Sequence, residues 1–190
     1  MARQTDDRDR SQKPSAADEL LWLETYFITF PQERRPTLAQ VEHALAEAGP
    51  RLKLKNLAAD EEGFFQSLLV ESPEDHAAVE ISYELGDAVI EQNLQWAKQL
   101  EDQLSASQLQ QLIIADARLD VAHFERLPAG APRTSPKSAA PTFAEDEYGD
   151  DFDEEAAMEV FDPTCLLTVV EALSQLTKGL TVDPASGEIA

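Results

Sequence analysis

The stretch from Thr25 to Gly49, TYFITFPQERRPTLAQVEHALAEAG, constrains the fold of this chain more than any other. Tyr26, Phe27, Ile28, Thr29 and Phe30 are aromatic or β-branched, the types that suit a pleated, half-buried strand. Pro31 and Pro36 bracket a polar turn that cannot continue the strand. Thr37 stands at an N-cap, and Leu38, Val41, Ala44, Leu45 and Ala48 then recur at helical spacing up to Gly49-Pro50. A strand followed by an amphipathic helix must bury both apolar sides, most simply as a helix on a sheet. That is a fold signal without recognisable chemistry.

Downstream, RLKLKNLAADEEG predicts a half-buried strand with Leu52 and Leu54 facing away from Lys53 and Lys55, followed by an acidic turn at Gly63. FFQSLLVES and HAAVEISYELG predict two more strands joined by a hairpin at SPED. Asp87 is placed as the cap of a helix buried through Val89, Ile90, Leu94, Ala97 and Leu100, with Trp96 on its flank. Ser105 is placed as the cap of another, with Leu109, Leu112 and Ile113 in register. ARLDVAHFERL fits a strand or a helix, and its β-branched and aromatic content favours a strand after Ala115. LLWLETYFITF, Leu20 to Phe30, likewise reads as one long strand or as a short helical turn leading into one.

The expected fold class is α+β, a mostly antiparallel or mixed sheet with helices on one face. The strand–helix–strand–strand order over residues 25 to 85 resembles half of a ferredoxin-like sandwich, a likeness of shape with no functional force. Residues 1–18 are expected to be a disordered leader and 19–126 an α+β domain. Residues 127–161 are expected to be a disordered linker, rich in Pro and Ala and then acidic, with ten Asp or Glu and no Lys or Arg between 145 and 162. In 162–190, Asp162 as N-cap and Pro163 at the first helical position open a helix striped by Leu166, Val169, Val170, Leu173 and Leu176. A β-hairpin at TVDPASGEI follows. A piece this small cannot fold alone, so it is expected to dock on the body or on a partner.

The formal net charge is −22, from 15 basic and 37 acidic residues, which argues against nucleic acid and anionic membrane surfaces as partners. A single cysteine, Cys165, excludes an intramolecular disulfide. With no apolar leader and no apolar run of membrane length, the expected location is cytoplasmic.

The best enzymatic candidates are Asp116, Asp120 and His123, with Glu125 beside them. On a helix the first three would share a face, as a metal or acid–base site requires; on a strand Asp120 and His123 would part. His43 and His76 are isolated, and Cys165, beside Leu166 and Leu167, reads as buried and inert. Arg34 and Arg35 are too few for a nucleic-acid surface, and Trp22 and Trp96 are assigned to the core. No phosphate loop or nucleophile elbow occurs. No catalytic, cofactor or metal residue is therefore assigned, and no cofactor is expected. Phe143, Tyr148, Phe152, Met158, Val160 and Phe161 punctuate the acidic run, as in segments that fold on basic partners. The expected function is a non-enzymatic, cytoplasmic protein-binding or regulatory module, its partner another protein or its own C-terminal arm. The alternatives are an acidic inhibitor of a basic protein, or an enzyme using Asp116, Asp120 and His123.

Overall fold

A computed structural model describes residues 19–127, 163–185 and 189. The leader, the linker and the acidic–aromatic run fall outside these, as do Asp162 and residues 186–188 of the expected hairpin. The described chain is α+β: β1 (Glu19–Phe30), α1 (Leu38–Ala48), β2 (Lys53–Ala59), β3 (Phe65–Ser72), β4 (Ala77–Leu85), α2 (Asp87–Gln99), α3 (Ala106–Ile114), β5 (Ala117–Leu127), α4 (Thr164–Thr177) and β6 (Leu180–Val182). The strands form one sheet in the order β2-β3-β4-β5-β1-β6, and every neighbouring pair is antiparallel.

That order differs from the ferredoxin-like one. β1 and β2, joined through α1, are separated in the sheet by β3, β4 and β5, whereas a split βαβ unit has one strand between them. Residues 19–30 form one strand, with no helical turn, and its pairing with β5 shifts register between Trp22 and Glu24. The extra residue, Leu23, is a β-bulge.

The helices were expected on one face and lie on both. Strand alternation sends Ile28 and Phe30 to a first face, where they join Leu68, Val70, Val79, Ile81, Leu119 and Val121 beneath Val41 and Leu45 of α1 and Leu166, Val169 and Leu173 of α4. Phe27 points the other way, to a smaller cluster with Trp96 of α2 and Leu100 at its C-cap, Leu112 of α3, and Leu180 and Val182 of β6. The C-terminal helix is thus part of the main core, and β6 pairs with Phe27–Thr29 of β1. Of the expected hairpin, the described residues show β6 and a single antiparallel bridge from Ile189 to Val182.

Thr37 and Ser105 cap α1 and α3 as expected, each in a reciprocal box with the glutamine three residues on. Asp87 does not cap α2. Gly86 does, at φ 118°, a conformation open to glycine, and Asp87 becomes the first helical residue. Trp96 lies in the buried stripe of α2 with Val89, Asn93 and Ala97, while Leu94 is exposed. Asn93 occupies a core position because its side-chain amide donates to the carbonyl of Ala115 at 2.9 Å. Pro163 is the N-cap of α4, one position before the first helical residue. At the other end Lys178 is left-handed, and a Cβ at Gly179 would come within 2.6 Å of Ile28, so glycine lets the chain turn against β1.

Candidate functional site

The segment carrying Asp116, Asp120 and His123 is a strand, and it separates them. Asp116 precedes β5 and its Oδ1 accepts the backbone N–H of Gln32 at 2.7 Å, fixing the turn after β1. Asp120 lies opposite Phe27, on the second face, paired with Arg118 at 2.5 Å. Burial pushes its carboxyl up and the Arg118 guanidinium opposes the shift. Arg118 also bonds to Gln92 of α2 and stacks over Phe27 at 4.3 Å, so this pair seats a helix. His123 lies opposite Glu24 on the first face, 2% exposed, with Nδ1 3.4 Å from Glu24 Oε1. Among the described residues no three His, Cys, Asp or Glu side chains are grouped to hold a metal. Cys165 is buried in the core under α4, and His43 and His76 stand exposed on α1 and in the β3–β4 turn.

Arg35 has a structural task. Its guanidinium donates to the Phe65 carbonyl at 2.8 Å and 3.1 Å, pairs with Asp60 at 2.9 Å and lies over the Tyr83 ring at 4.1 Å. Asp60 also accepts the N–H groups of Glu62 and Phe64. Burial raises the Tyr83 phenol, with Arg35 opposing the shift. This corner locks the β2–β3 turn to the start of α1.

Two surface features remain. Between α1 and α4 runs an open groove of ≈ 770 Å³, lined by small and polar residues including Gln40, Ala44, Thr168 and Ala172. At the start of β1, Trp22 is 59% exposed and Leu20 and Leu21 are 43% exposed. Trp22 pairs with Phe124 of β5, and its indole N–H donates to Thr25 Oγ1 at 3.1 Å. Trp22 was assigned to the core and lies outside it. β6 pairs only with Phe27–Thr29, so among the described strands Leu20–Thr25 is paired on its β5 side alone. The signal for this in the sequence was faint: a run of apolar residues, LLWL, extending the predicted strand at its N-terminal end.

The comparisons with known proteins bring no relative to this geometry: no family model, curated protein or solved structure matches the chain.

Proposed function

We propose that this chain is a non-enzymatic protein-binding module whose contact is the projecting first half of β1. The observation that carries the reading is the exposure of Leu20, Leu21 and Trp22 as neighbours along a strand that, among the described residues, is paired on one side only. Scattered exposed leucines are ordinary, but a contiguous apolar stretch containing an aromatic anchor is characteristic of contact surfaces. The separation of Asp116, Asp120 and His123 removes the geometric basis for the enzyme reading. A single buried cysteine fits work in a reducing cytoplasm. The net charge of −22 supports a second reading, inhibition of a basic protein, through faster encounter with a cationic surface.

The test is recovery of tagged wild-type chain and Trp22→Ala from native cells, at low and high salt, with matched thermal melts. A stoichiometric partner lost on Trp22→Ala, with the melt unchanged, is the expected result. A partner held equally by both forms removes the site from β1, and the absence of any partner at either salt overturns the module itself.

A further inference from the structure

The two edges of the sheet differ in how they meet a would-be neighbour. On the β2 edge Lys53 is exposed, Lys55 is exposed but turned back onto Glu71, the pairing with β3 breaks register twice, and Asn56 turns left-handed at φ 51°. These are the devices by which sheets refuse another strand. The opposite edge has β6 over Phe27–Thr29, followed by Asp183-Pro184, and among the described residues Leu20–Thr25 shows none of these devices except the bulge at Leu23. Glu24 is the one charged residue in that run, and three large apolar side chains there are exposed.

Alternation assigns a pattern to whatever lies beside this edge. Leu20 and Trp22 share the second face with Phe124, opposite Arg126 and Phe124 respectively. Leu21 and Glu24 share the first face, opposite Glu125 and His123. Arg126 is engaged by Glu71 across the sheet, and His123 is buried. The charges open to a newcomer on the first face are thus carboxylates, Glu24 and Glu125, in a chain of net charge −22. A second copy of β1 would bring another Glu24, and the chain's own run at 145–162 would bring ten acids and no cation. Both have the wrong sign.

Resting on the binding-module reading above, we propose that the Leu20–Thr25 edge takes its partner by strand addition, and that the partner segment is extended and alternates apolar residues with Lys or Arg. Its apolar side chains would cover Leu20 and Trp22, its cations would meet Glu24 and Glu125, and its backbone would complete the ladder.

The full-length chain is titrated with a short synthetic peptide of alternating valine and lysine, alongside three relatives. One has the same residues in two blocks, one is N-methylated at alternate residues along one edge, and one carries glutamate for lysine. The expected result is binding of the alternating peptide with new hydrogen-exchange protection at Leu20–Thr25. The blocked and N-methylated peptides should bind about tenfold more weakly or worse, equivalent to ~1.4 kcal/mol, and the glutamate peptide should not bind. Glu24→Gln with Glu125→Gln, and separately Trp22→Ala, should weaken binding of the alternating peptide. Equal affinity for the N-methylated peptide would reduce the effect to general attraction by an acidic protein and overturn strand addition. So would a dimer of the free chain abolished by Trp22→Ala, or faster exchange at Leu20–Thr25 on deleting 143–161, which would assign the edge to a second copy or to the chain itself. None of these outcomes bears on the partner recovered from cells, whose loss on Trp22→Ala tests the module separately.

Discussion

On the first face of the sheet, α1 and α4 cover a hydrophobic cluster that runs from Phe65 to Leu173; on the second, α2 and α3 reach over Phe27, and among the described residues no helix joins that smaller cluster to β2 or β3. That part of the second face is finished with charge. Glu71, 4% exposed, accepts Lys55 at 2.6 Å and Arg126 from two strands away, which reaches over the fully buried Ala78. The difference teaches that burial has two sources here. One is exclusion of water by packed helices, and the other is long side chains lying across their own sheet.

The largest effect should come from breaking the first kind. Leu173→Ala removes a fully buried side chain facing the sheet and should cost about 2–5 kcal/mol in urea unfolding. The parallel change Leu69→Ala, half-buried on the second face, should cost less than about 1.5 kcal/mol. Equal losses would erase the distinction between the faces. Next in size is Glu71→Ala, which deprives Lys55 and Arg126 of their shared acceptor. A loss of about 1–3 kcal/mol is expected, nearly unchanged by added salt because the carboxylate is shielded from solvent. A loss that vanishes in high salt would make the cluster an ordinary surface pair.

How much of this could be read beforehand follows the same division. The first face was legible, since Val41, Leu45, Val79, Ile81, Leu166, Val169 and Leu173 stand at the period of their element and face one environment. The long reach of β1 and the strand at Ala117–Leu127 were each one of two open readings; β-branched and aromatic content tipped the second toward a strand, while the first stayed undecided. The second face was poorly legible. Helices on both sides give the strands apolar residues in both phases, so Phe27 beside Ile28 did not reveal which belonged to which layer. Asn93 replaced Leu94 in the buried stripe of α2, where its side-chain amide donates a long-range hydrogen bond to the Ala115 carbonyl, which periodicity cannot see. Trp22 was misplaced for the opposite reason: its composition is that of a core residue, yet among the described residues it stands beyond the reach of β6, 59% exposed. The dispersal of Asp116, Asp120 and His123 was legible conditionally, since a strand was known to part them once the segment was a strand.

The smallest expected effect tests a third arrangement, the corner where both faces end. Asp60 differs from Glu71 in standing in partial contact with solvent, and three donors converge on it: Arg35, and the N–H groups of Glu62 and Phe64. Its burial alone would raise the carboxyl, but the Phe64 N–H and the Arg35 guanidinium outweigh that and hold it below the ordinary value of 3.8. A carboxyl whose folded pKa is depressed contributes stability that is present above its unfolded value and is lost as pH falls through the folded one. Asp60→Asn keeps a side-chain oxygen for the two backbone N–H groups and gives up the charge that Arg35 meets. The wild-type advantage over Asp60→Asn should therefore be constant from neutral pH to about pH 5 and shrink below the ordinary carboxylate range. Urea midpoints of the two forms across that range measure it, and the difference between them cancels the protonation of the other 36 acidic residues, the remainder of 37. An advantage that persists undiminished in acid would mean that the oxygen positions hold the corner and the charge is incidental. Tyr83 then supplies the check, because Arg35 also lies over its ring: if the ion pair positions the guanidinium, Asp60→Asn should perturb the Tyr83 ring resonances at neutral pH, and the perturbation should fade where the stability difference closes.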